Sequence, residues 1–128
     1  ARRVRKALGG GMRQSGILAA AGLYALEHHI DRLAEDHEHA RLLAEGLAQL
    51  SALSVWPPET NIVVFDIEEG PSAPELCARL RERGVLCSPA AAGTHPKRIR
   101  MVTHLGISRE DVLRTVDLVA KELRHPHR

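Results

Sequence analysis

Apolar residues recur in three different rhythms along this chain. From Gly16 to Ile30, "GILAAAGLYALEHHI", they fall nearly all round a helical wheel. That pattern predicts a helix buried on several sides. Beyond Asp31 the rhythm narrows to one stripe: Ala40, Leu43, Leu47 and Leu50, with Glu38, Arg41, Glu45 and Gln49 between them. This predicts an amphipathic helix ending near Leu53. "WPPET" breaks it, and "NIVVFDI", Asn61 to Ile67, reads as a strand.

"EEGPSAP" is a turn before an amphipathic helix over Ala73–Arg83, with Leu76, Cys77 and Leu80 inward and Gly84 as a left-handed cap. "VLCS" predicts a short strand and "PAAAGTHP" a loop. From Lys97 to His104 apolar and basic residues alternate. A strand there puts Ile99, Met101 and Thr103 on one face and Arg98, Arg100 and Val102 on the other. Ser108 followed by Asp111 opens a last helix lined by Val112, Val116, Val119 and Leu123, and "HPHR" is a frayed tail. At the other end, Arg2 to Leu8 forms a basic helical turn that Gly9, Gly10 and Gly11 stop. Ser15 is placed to cap the next helix with its side-chain oxygen.

Together these elements predict an α+β fold: long N-terminal helices, then a small, mostly antiparallel sheet covered by helices. The organisation expected is a helical segment over 1–53 and a small α+β domain over 54–128. The 16–30 helix is too apolar for a surface of this chain alone, so it calls for another domain or another subunit. The chain begins at Ala1, and its first residues already read as the inside of a helix, so it is expected to be the later part of a longer protein.

Composition narrows the chemistry. Only 2% of the 128 residues are aromatic, namely Tyr24, Trp56 and Phe65. The core must be aliphatic, and so few rings argue against base-stacking platforms for single-stranded nucleic acid. The net charge of +2 conceals a basic entry: residues 1–14 hold five Lys or Arg and no acid, while the remainder carries more acids than bases. Such a segment attracts an anion or stands as a solvated helix end. Cys77 and Cys87 make no disulfide framework and read as small core residues. No apolar run is long enough to span a membrane and no secretory segment is visible, so a cytoplasmic protein is expected.

Metal binding is not expected. His28 and His29 are adjacent, His37 and His39 are two apart, and neither pair has the i, i+4 spacing that converges on one ion; a solvated helix face is the expectation for them. No serine occupies a strand-to-helix elbow. "GGGMRQ" lacks the Lys-Ser/Thr of a phosphate loop. It nevertheless places Arg13 just before a helix N-terminus, where backbone N–H groups favour an anion, and glycines permit close approach. A phosphate or carboxylate site and a flexible interhelix turn both fit these residues.

The run "RKALGGGMRQSGILAAAGLYAL" resembles the low-specificity L-threonine aldolases, pyridoxal 5'-phosphate enzymes of the aspartate aminotransferase fold type. "LAEDHEHARLLAEGL", "TNIVVFDI" and "RIRMVTHLGISREDV" resemble later stretches of the same family, in the same order. The resemblance implies the C-terminal small domain of that fold and a lyase cleaving threonine or allo-threonine to glycine and acetaldehyde. It implies that Arg13 lies near the cofactor phosphate with Lys6 beside it. It also implies that Arg100, which precedes V-T-H, binds the substrate carboxylate, with Arg98 as the internal competitor on the same face. The lysine that binds the cofactor covalently belongs to an upstream segment in this family, and Lys6, Lys97 and Lys121 do not resemble it. No catalytic residue is therefore assigned here, and the chain alone is expected to be inactive. Its expected partners are an amino-acid substrate and either a large domain or further copies, with neither nucleic acid nor membrane. An assembly module needing a companion chain that carries the lysine is the alternative, and a basic module binding nucleic acid through residues 1–14 is a further one.

Overall fold

A computed structural model describes residues 1–90 and 95–124. The middle of the expected 89–96 loop and the expected frayed tail lie outside the described residues. The chain divides into two compact units, Ala1–Leu33 and Ala34–Arg128.

The first unit holds α1 (Arg2–Ala7) and α2 (Gly16–His28). Gly9, at φ +88, ends α1: its N–H reaches Lys6 O at 3.2 Å and the Gly10 N–H reaches Arg5 O at 2.8 Å. These paired bonds satisfy carbonyls that a helix end leaves open. A Cβ on Gly10 would stand 2.8 Å from the Arg5 carbonyl oxygen, so this glycine is required by close approach. Gly11 has open space around it. Ser15 precedes α2 as expected, but its backbone is helical and its side chain makes no capping bond. A side-chain cap normally needs extended backbone at that position. No residue of α2 is buried; Ile17 is 80% and Leu26 65% exposed.

In the second unit come α3 (Leu33–Ala48), β1 (Leu53–Val55), β2 (Ile62–Ile67), α4 (Ala73–Glu82), β3 (Ser88–Pro89), β4 (Arg98–Val102) and α5 (Arg109–Arg124). The strands form one antiparallel sheet in the order β1-β2-β4-β3. The sequence placed a helix as far as Leu53; instead α3 stops at Ala48 and Leu53 opens β1, paired with Ile67. Three residues are too few for a period to show. Likewise the strand expected at Val85–Ser88 begins only at Ser88, because the Val85 N–H is bonded back to Leu80 O behind Gly84 (φ +86) and closes α4.

One face of the sheet (Leu53, Val63, Phe65, Ile67, Ile99, Met101) packs against Ala40, Leu43 and Leu47 of α3, Leu76 and Leu80 of α4, and Val112 and Val119 of α5. The helix α3 thus contributes to this core. His39, expected on a solvated face, is buried beside that core, while His37 is half-buried. Thr103 Oγ1 donates to Asp36 O at 2.6 Å and so ties the end of β4 to α3. The α5 start is capped as expected, with Ser108 N–H reaching Asp111 Oδ2 at 3.0 Å and Asp111 N–H reaching Ser108 Oγ at 3.1 Å.

Candidate functional site

Alternation along β4 sends Arg98 and Arg100 to the face that the helices leave open. Their surroundings then differ completely. Arg98 is paired in register with Asp66 of β2 and grips its carboxylate with two bonds, Nε to Oδ1 and Nη2 to Oδ2, both 2.8 Å. Its guanidinium also lies 4.4 Å over the Trp56 ring. His95 Nδ1 adds a contact to Asp66 Oδ1 at 3.5 Å. The Arg98 hydrogen bonds hold the Asp66 carboxyl below its ordinary value of 3.8. Arg98 is therefore occupied by the protein itself.

Arg100 faces Val64 on one side and Ser88 on the other. Neither is acidic. Its guanidinium is exposed and has no hydrogen bond or ion pair among the described residues. It lines an open cleft of about 260 Å³ together with Leu86, Cys87, Ser88, Val102 and His104. His104 Nδ1 accepts the Gly106 N–H at 3.2 Å, which leaves the ring proton on Nε2. A second cavity of about 200 Å³ shares Leu86, Val102 and His104 and continues over Met101 and Ile107. The larger cleft by Trp56, Pro57 and Pro58 is chemically different: its arginine, Arg41, is tied to Glu38 at 2.7 Å and its other lining is largely apolar.

A planar guanidinium on a fixed strand, a hydroxyl from the edge strand and an imidazole N–H make a donor-rich set suited to a small carboxylate. Sequence reading singled out Arg100 but passed over Ser88 and His104. His104 sat within the V-T-H stretch; Ser88 is brought to Arg100 only by strand register.

Lys6 and Arg13 lie in the first unit, both exposed. Arg13 sits in the turn before α2, next to Gln14, whose φ of +48 is unusual for a residue with a side chain. Uncapped first-turn N–H groups of α2, open space at Gly11 and two free cations are compatible with a phosphate. Among the described residues no group of three or more His, Cys, Asp or Glu could hold a metal ion, and no helix is long and apolar enough to cross a membrane.

Comparison with known proteins adds the context. Residues 1–70 match the model of the beta-eliminating lyase family. The chain is 48% identical over 116 residues to "Probable low-specificity L-threonine aldolase 2" of Arabidopsis thaliana, covering 88% of this chain and 32% of that protein. It is 43% identical over 110 residues to "Low specificity L-threonine aldolase" of Escherichia coli (strain K12), covering 86% and 31%. It thus spans about a third of the length of these relatives. Among solved structures, a decarboxylase from Sulfurospirillum multivorans superposes with a TM-score of 0.70 at 17% identity, over 96% of this chain and 37% of that one. The cystine C-S lyase C-DES, in a variant with glycine covalently linked to its pyridoxal phosphate, gives 0.67 at 20% identity over 84% and 28%. These distant matches share the mixed α+β fold, while the family match over residues 1–70, more than half of the chain, gives the conclusion: the chain belongs to the beta-eliminating lyase family.

Proposed function

We propose that this chain is the C-terminal part of a pyridoxal 5'-phosphate-dependent aldolase that cleaves threonine or allo-threonine to glycine and acetaldehyde. The bound cofactor supplies an electron sink for carbon–carbon cleavage. Arg100 binds the carboxylate of the amino acid through its two-pronged guanidinium, and the rigid strand β4 aims it. Ser88 and His104 line the same cleft and help to orient that carboxylate. Arg13 and Lys6 hold the cofactor phosphate, in this assembly or across a subunit boundary. Lys97 donates to Glu68 O at 3.1 Å, and Lys6 and Lys121 lie on exposed helical positions, so none is in a setting for covalent cofactor binding. That lysine is supplied by a further segment or a companion chain, and the chain alone is inactive.

The observation that carries this reading is the contrast between two arginines two residues apart: Arg98 is consumed by Asp66, and Arg100 is left exposed beside a cleft. The test is glycine binding by a chain carrying this segment at the length of its relatives. Arg100→Lys keeps the charge and loses the fork, so affinity should fall by about 1.5–3 kcal/mol, the range for hydrogen bonds to charged groups. Cofactor absorbance should persist. Unchanged glycine affinity in Arg100→Lys, with loss in Arg98→Lys, moves the role to Arg98 and overturns the assignment.

A further inference from the structure

Cys77 and Cys87 have no role in the function proposed above, yet they face each other. Cys77 lies on the inner side of α4 and is nearly buried; Cys87 is half-buried in the irregular stretch that leads into β3. Both are free thiols, and the Cys87 S–H donates to Cys77 Sγ across 3.4 Å. Cys87 also lines the cleft that holds Arg100, one residue before Ser88. The pair therefore bridges the helix layer and the sheet edge where the cleft opens.

We propose that Cys77 and Cys87 are a redox latch, in which a hydroperoxide converts the pair to an intramolecular disulfide that ties α4 to the edge of the sheet beside Arg100. The two sulfurs have different tasks. The hydrogen bond from Cys87 holds the Cys77 thiol below its ordinary value of 9.0 and pushes the Cys87 thiol up, so Cys77 is the first to become a thiolate. Its near-burial admits a small oxidant better than a bulky disulfide. The Cys77 thiolate attacks one oxygen of hydrogen peroxide; an S–O bond forms, the O–O bond breaks, and hydroxide leaves, taking up a proton as water. Cys87 then loses its proton and attacks the Cys77 sulfur. The S–S bond forms, the S–O bond breaks, and the departing hydroxide takes that proton as a second water. Two thiols and one peroxide become one disulfide and two waters, with two electrons passing from sulfur to oxygen. The sulfurs must close from 3.4 Å to ~2.0 Å, a movement for the irregular residues around Cys87 to absorb.

The experiment treats this chain with about one equivalent of hydrogen peroxide, the oxidant on the ladder just described, then counts thiols and maps the bridge by mass spectrometry without reduction. Both thiols should vanish together, the mass should fall by two hydrogens, and dithiothreitol should restore both. Cys87→Ser should stop at a sulfenic acid on Cys77 that dimedone traps. Cys77→Ser should leave Cys87 reduced at the same dose. Amide exchange over residues 85–88 should slow about tenfold in the oxidised chain. Disulfide-linked dimers, oxidation of each cysteine independently of the other, or two unreacted thiols in the folded chain would overturn the proposal. So would an unchanged exchange rate over 85–88 once the bridge has formed, since the latch then constrains nothing. The unsubstituted chain alone gives these answers if either variant fails to fold.

Discussion

At residue 66 a single carboxylate sorts two arginines. Asp66 stands opposite Arg98 across the β2–β4 ladder, and the two-bond grip neutralises that guanidinium while Trp56 covers it. Replacing Asp66 by Asn should free Arg98 and cost about 1 kcal/mol of stability, the upper end for a partly exposed pair with good geometry. The sign of the pH effect follows from the lowered Asp66 value. Because the folded carboxyl titrates below its ordinary 3.8, its contribution is fully present above that value and is lost as the pH falls through the lowered one. Urea unfolding near neutrality and at about pH 3 should therefore show a larger acid loss in the parent than in Asp66→Asn. Equal losses would mean that the pair is energetically idle.

Between elements, the approach of α3 to α5 is set by a glycine. A Cβ on Gly46 would lie 2.7 Å from Val116 Cγ2, and a β-branched side chain has little rotamer freedom with which to yield. Gly46→Ala thus gains about 1 kcal/mol of helix propensity and incurs overpacking of about 1–3 kcal/mol. The net expectation is destabilisation, read as a lower urea midpoint. Gly22 in α2 is the control, with nothing within 4 Å of its Cβ position. Gly22→Ala should raise helicity by circular dichroism without lowering that midpoint. A higher midpoint in Gly46→Ala would show that the two helices can separate at little cost.

For the molecule as a whole, α2 is the unfinished part. Its mean character is apolar, and Ile17, Leu18, Leu23, Tyr24 and Leu26 are all exposed. Patches of this kind are rare on free monomers and mark surfaces meant to be covered. The isolated chain should therefore self-associate at micromolar concentration, and Leu23→Glu combined with Leu26→Glu should disperse it. Light scattering decides: a monodisperse monomer in the unsubstituted chain would remove the argument for a covering partner.

Much of this was legible in the residues. Alternation along residues 97–104 assigned the two faces of β4, because the side-chain period of a strand is fixed. Ser108 and Asp111 marked the start of α5, and Gly84 the end of α4, through chemistry confined to one turn. The motifs around Arg13 and Arg100 carried the family. Three things were decided only by the tertiary structure. The strand β1 is three residues long and exists because β2 offers it a ladder. Ser15 looks like a side-chain cap, yet its backbone angles leave its oxygen without a capping bond. Most important, Arg98 and Arg100 are equivalent by spacing; the V-T-H motif singled out Arg100, but nothing within their own strand shows which of the two an acid occupies. Strand register does: it sets Asp66 opposite one and Val64 and Ser88 opposite the other, partners more than ten residues away in the chain that no local pattern can reach.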